Sequence, residues 1–171
     1  MKKFSVICLS LCLLIFCSLT LTAYSGLPER HLFEKFGVEL PQEFELLKMK
    51  QVFYANNQGG FHGDGDHYAV YKIENPPTQV PKGFKKPDDE IHYRKYNMIG
   101  SITPSTCGYE HYLRVPEKYR PDWDRDFYWQ YRGLYPTLNE FNDTPYTWYS
   151  DELFIIYQPH NQYLFILARL Q

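Results

Sequence analysis

Leu153-Phe154-Ile155-Ile156-Tyr157 and Tyr163-Leu164-Phe165-Ile166-Leu167 flank Gln158-Pro159-His160-Asn161-Gln162. Two β-rich runs separated by five residues read as a hairpin. Pro159 suits position i+1 of a turn, and Asn161 tolerates the left-handed region. Both runs are apolar on both faces, so both are expected as central strands of a sheet that is covered on each side. This pair sets the fold class. The chain is expected to be α+β, an antiparallel sheet of about four to six strands with a helix packed on it.

Working backwards, residues 134–149 read as an aromatic loop broken by Pro136 and Pro145. Residues 116–133 give the strongest helical pattern of the domain. Pro121 fits the first helical position, Asp122 and Asp124 suit the positive end of the helix dipole, and Gly133 ends the run. Trp123, Phe127 and Tyr131 then form one apolar face. Residues 91–102 read as a strand with Tyr93 and Ile99 inward, and residues 109–115 as a short extended segment. Four prolines over 75–89 mark a surface excursion that Phe84 pins to the core. Residues 47–55 and 67–73 read as a long-looped hairpin. Residues 27–37 read as a short helix with Leu32, Phe33 and Phe36 on one face and Gly37 just past its end.

The N-terminus gives an address. Lys2 and Lys3 precede twenty uncharged residues, 4–23. A basic start followed by an apolar run is the pattern of a secretory signal. The run is also long enough to span a bilayer, which takes about 20 apolar residues. Residues 1–25 are therefore expected as a signal peptide or transmembrane anchor, with cleavage near Ser25 in the first case. Either outcome leaves residues 26–171 outside the cytoplasmic membrane as a single domain. Its partners are then the membrane through residues 4–23 and an envelope protein or a glycan.

Cysteine usage agrees with that setting. Cys8, Cys12 and Cys17 lie in the apolar run, and Cys107 is alone in the rest. A domain of this length buries about 68–70% of its unfolded surface and holds a core without disulfides. With Lys2 and Lys3 set aside, sixteen basic residues face twenty acidic ones, with no basic run. Nucleic acid is not an expected partner. The uncommon feature is aromatic content: 16 Tyr, 12 Phe and 3 Trp.

Two stretches offer chemistry. The first is Gly59-Gly60-Phe61-His62-Gly63-Asp64-Gly65-Asp66-His67. Imidazole and carboxylate at this spacing suit a divalent metal such as zinc, or a base with its orienting partner. His62, Asp64, Asp66 and His67 are the candidate ligands, with Glu110 or His111 as the remote one, and a metal-dependent hydrolase is the activity that such a site implies. The plainer reading is a turn, since glycine supplies positive φ and aspartate bonds local backbone N–H groups. The stretch 59–65, followed by a Tyr/Val strand, resembles a motif of small uncharacterised bacterial proteins that are membrane-anchored or secreted. The resemblance covers residues 40–73 and implies no activity. It does imply that the loop is more than a spacer.

The second stretch is aromatic. Trp129 falls off the expected Trp123/Phe127/Tyr131 face and Trp148 and Tyr149 fall in the expected loop, so these rings are expected at the surface, where flat faces suit sugars or peptides. Cys107 beside His111 invites a thiol reading, but a lone cysteine is more often a small buried hydrophobe. No phosphate-binding loop, dinucleotide fingerprint or zinc-protease motif occurs. A non-catalytic, envelope-anchored binding domain without cofactor is the leading expectation.

Overall fold

The computed structural model describes residues 29–41, 44, 49–58, 65–77, 79–103, 113–137 and 147–171. Contact pattern divides the chain into two units, Met1–His31 and Leu32–Gln171. Only residues 29–31 of the first are described. Among the described residues no helix is long and apolar enough to cross a membrane. The apolar run 4–23 lies outside them.

The fold is α+β. Five strands, β1 (Met49–Gln58), β2 (Gly65–Ile73), β3 (Tyr128–Thr137), β4 (Trp148–Gln158) and β5 (Tyr163–Leu170), form one sheet in the order β1-β2-β5-β4-β3. All neighbours are antiparallel. Among the described residues, helices α1 (Arg30–Phe36) and α2 (Asp89–Ile102) and a 3-10 turn at Glu117–Tyr119 accompany the sheet.

β4 and β5 are interior strands, and Leu153 to Tyr157 and Leu164 to Ala168 are buried throughout. The turn between them differs in one detail. Asn161 caps it by accepting the Tyr163 N–H through Oδ1 at 2.9 Å, and Gln162 takes the positive φ, +60°. The β1–β2 hairpin also forms as its sequence pattern expects. A bulge between Gln51 and Phe53 shifts its register, which twists an exposed edge strand away from further pairing.

Even-numbered residues of β2 and β4 and odd-numbered ones of β3 and β5 share one face. Tyr68, Val70, Trp129, Phe154, Ile156, Phe165 and Leu167 pack there with Ile91, Met98 and Ile102 of α2. Leu113, Val115 and Phe127 extend that layer. On the opposite face Phe44 packs edge-on to Tyr157 at 5.4 Å and against Phe84 at 5.6 Å. Phe84 does pin the proline-rich excursion. Lys35 of α1 pairs with Asp151 at 2.6 Å. The end of α1 is a Schellman cap: Gly37 (φ +61°) donates to Glu34 C=O and Val38 to Phe33 C=O.

Two segments depart from expectation. Residues 91–102 form a helix, not a strand. Asp88 is its N-cap and accepts the Ile91 N–H at 3.1 Å, and Asp89 and Glu90 occupy the first turn. Isoleucine and tyrosine raise β-propensity here, but Ile91, Met98 and Ile102 fall at helical spacing. Tertiary packing on the sheet decides the outcome. Conversely, the helix expected over 116–133 is absent. Asp122 Oδ1 accepts the Asp124 N–H in a local turn. The buried Gln158 side chain clamps Asp122, accepting its N–H at 3.1 Å and donating to its C=O at 2.6 Å. From Phe127 the inward period is two, Phe127-Trp129-Tyr131, which the spacing of four had hidden. The loop expected over 134–149 is likewise occupied at both ends by β3 and β4.

Candidate functional site

Among the described residues, the inward stripe of α2 carries Arg94 and Ser101 beside its apolar side chains. Arg94 and Ser101 are both 3% exposed, and they lie over a polar row that crosses the sheet. Asp66 pairs in register with Arg169, Arg169 with Glu152, and Glu152 with Gly133. Strand alternation puts all four on the face that α2 covers.

The charges alternate along a ladder. Arg169 Nε lies 3.5 Å from Asp66 Oδ1, and its Nη1 lies 3.6 Å from Glu152 Oε2. Arg169 Nη2 donates to Ser101 Oγ at 2.5 Å. Arg94 Nη1 is 3.8 Å from Glu152 Oε1, and Arg94 Nε donates to Glu90 Oε1 at 2.8 Å. Lys85 Nζ donates to Glu90 Oε2 at 2.9 Å and reaches Asp88 Oδ2 at 3.3 Å. The ladder thus runs from β2 under α2 to the surface at Lys85. Burial at each step is matched by an opposite charge, the condition under which buried ions are tolerated.

Tyr131 stands in the middle. Its hydroxyl donates to Glu152 Oε1 at 2.8 Å, and the Arg94 guanidinium lies over its ring at 3.9 Å from the centroid. Burial, reinforced by the Glu152 carboxylate, pushes the Tyr131 hydroxyl far above the usual phenol range. It therefore stays a neutral donor. Burial also raises the Glu152 carboxyl, against the pull of Tyr131 and both arginines. At Glu90 burial is outweighed by the hydrogen bonds from Lys85 and Arg94, which hold its carboxyl below the ordinary value.

At the outer end of this ladder a cleft of about 330 Å³ opens against the edge of β3. Lys85, Arg94 and Arg132 set three positive charges against Glu90 around it. Tyr131 and Tyr149 supply aromatic walls, and Gly83, Gln130 and Gly133 the remainder. Gln130 is buried, and its Oε1 has no hydrogen-bond partner among the described residues. The volume is at the small end for ligand sites. The described lining contains no serine, cysteine or histidine. It offers an anion the cations Lys85, Arg94 and Arg132, and it offers a hydrogen-bond donor an amide oxygen.

Gly133 shapes this wall. A Cβ at Gly133 would overlap the Tyr149 ring. Gly133→Ala must therefore displace Tyr149, and overpacking of this kind costs about 1–3 kcal/mol. A lowered unfolding midpoint in urea at unchanged slope is the expected result. A midpoint equal to the parent's would show that Tyr149 moves aside freely.

The residues singled out from the sequence are dispersed. Tyr149 lines the cleft. Trp148 is in β4 opposite Thr137, and its side chain lies outside the described residues. Trp129 is fully buried, contrary to the exposed position expected of it. It faces α2 because it belongs to a strand rather than to the outer side of a helix. His62, Asp64, Glu110 and His111 lie outside the described residues. Asp66 and His67 are consecutive in β2, so they point to opposite faces. Asp66 meets Arg169, whereas His67 Nδ1 lies 3.5 Å from the Tyr54 hydroxyl. Among the described residues no group of three or more metal-ligating side chains gathers.

No sequence motif marks Lys85, Glu90, Arg94 or Arg132 as a group. The Asp88 cap and the Glu90/Arg94 spacing of four were the available signals. Comparison with protein-family models, curated proteins and solved structures gives no match.

Proposed function

We propose that the chain is a bacterial cell-envelope protein whose domain binds a partner without catalysis. Residues 4–23 anchor it in the cytoplasmic membrane, with the domain outside, or direct its secretion with cleavage near Ser25. The partner is an envelope component that presents an anionic group to the cleft beside β3. One observation carries this reading: the exposed Arg132 lines, with Lys85, a cleft that also holds a buried amide oxygen without a hydrogen-bond partner among the described residues. The aromatic walls favour a partner with an apolar part beside the charge.

The test is binding by the full chain to an acidic peptide, an acidic polysaccharide and vesicles containing anionic lipid, each alone. Arg132 is exposed, so Arg132→Glu is expected to leave the melting temperature in place. The same change is expected to weaken binding of the recognised class by about tenfold or more, as charge reversal against an anion does. Failure of all three probes, or equal binding by the variant, overturns the reading.

A further inference from the structure

Resting on that reading of the cleft, we propose that its ligand is the free C-terminal end of an extended peptide, which adds to the edge of β3 as a short antiparallel strand.

The edge is already used once. Trp129 donates its N–H to Lys85 C=O and accepts the Lys85 N–H at its own C=O, both at 2.9 Å. Trp129 faces Ile156 in the β3–β4 register, Tyr131 faces Phe154 and Gly133 faces Glu152. In an antiparallel ladder alternate residues turn their backbone groups to the same side. Tyr131 and Gly133 therefore present their N–H and C=O outward, as Trp129 does. Continuing the Lys85–Trp129 register would bring Gly83 opposite Tyr131. The chain does not continue. Phe84 closes a turn onto Pro81 C=O at 3.0 Å, and Gly83 has φ +84°. That turn takes the chain off the edge where the cleft begins. Among the described residues no backbone group pairs with the outward side of Tyr131 or Gly133.

Direction follows from the same register. An antiparallel strand added opposite Gly133 and Tyr131 runs in the same sense as the Phe84-Lys85-Lys86 segment. Its last residue then lies against Gly83 and Lys85. The cations at that end, Lys85 and Arg94, suit a terminal carboxylate. A parallel strand would instead bring its ammonium terminus to them. Side chains of the added strand alternate between faces. One side meets the Tyr131 and Tyr149 rings, and the other meets Gln130 Oε1, which accepts from an amide or hydroxyl. Arg94 is held in place by Glu90, Glu152 and the Thr147 C=O, so little order is lost on binding.

The experiment selects a randomised heptapeptide library, displayed with free C-termini, on the immobilised full chain. Selected sequences are then synthesised as acids and as C-terminal amides. The acids are expected to bind about tenfold or more tightly than the amides, since the amide removes the charge that Lys85 and Arg94 face. Lys85→Ala is expected to reduce acid binding while Lys85→Arg restores it. Hydrogen exchange at the Tyr131 and Gly133 amides is expected to slow on addition of the acid. No enrichment, equal binding of acid and amide, or protection confined to other amides overturns the inference. Such a result beside persisting Arg132-dependent binding of another anionic probe removes the peptide alone. Loss of both removes the binding reading as well.

Discussion

Glu152→Ala is expected to destabilise the domain by about 3–5 kcal/mol, the usual cost of removing one partner from a buried charge cluster. Glu152 is 1% exposed and joins both halves of the ladder, with Arg169 at Oε2 and Arg94 and the Tyr131 hydroxyl at Oε1. Alanine would leave two guanidinium groups and a phenol facing a void. Arg94 keeps Glu90 and Arg169 keeps Asp66, so the loss is expected near the lower bound. Glu152→Gln separates shape from charge. It retains the volume and an acceptor for Tyr131, and is expected to cost about 1–3 kcal/mol. Urea unfolding at constant slope measures both. A cost for alanine below that for glutamine would show that the ladder does not hold the sheet to α2.

The pH dependence has a definite sign. Burial raises the Glu152 carboxyl, so the folded state holds that proton more tightly than the unfolded chain. Stability from this group is full below the ordinary carboxyl value and is lost as pH rises through the raised one. Glu90 acts oppositely, because its carboxyl is lowered. Its contribution is present above the ordinary value and is lost as pH falls through the lowered one. Glu152→Gln removes only the first component. The parent should therefore lose stability relative to the glutamine variant as pH rises through the window just above the ordinary carboxyl value.

What the sequence revealed, it revealed through local pattern. The β4–β5 hairpin was legible because apolar runs on both faces leave no alternative to an interior pair. The Gly37 cap was legible because one residue type fits one backbone conformation. Pattern failed where two periods coincide. Trp123, Phe127 and Tyr131 are spaced by four, while Phe127, Trp129 and Tyr131 are spaced by two, and only the sheet partner β4 selects between them. The cleft was illegible for a different reason. Gly83, Lys85 and Glu90 meet Gln130, Arg132 and Tyr149 only after β3 pairs with β4 and α2 crosses the sheet. Each charge taken singly resembles an ordinary solvated side chain. Arg94 gave the faintest sign, as a cation on what becomes the buried stripe of a helix.

Trp129→Ala is expected to cost about 3–5 kcal/mol, as large-to-small changes of a buried aromatic do. An exposed aromatic in a binding surface would instead change stability by less than about 0.5 kcal/mol and act on affinity. The two readings of Trp129 thus differ by several kilocalories in one unfolding measurement. The ring is fully buried, in one core cluster with Ile91, Met98, Phe154 and Ile156. Its Nε1–H donates to Lys86 C=O at 3.1 Å, and Lys85 Nζ stands 4.3 Å from the ring centroid. Trp129→Phe keeps most of the packing and loses the donor. Lys86 is exposed, so water replaces that bond and the expected cost is about 1–2 kcal/mol. The backbone bridge to Lys85 does not depend on the side chain directly. It depends on the ring holding residues 84–86 against the edge, because Nε1–H is their side-chain tether to β3. Alanine should therefore speed hydrogen exchange at Lys85 beyond the global change, whereas phenylalanine should do so weakly. Equal exchange in the two variants would place that tether in the backbone pair alone.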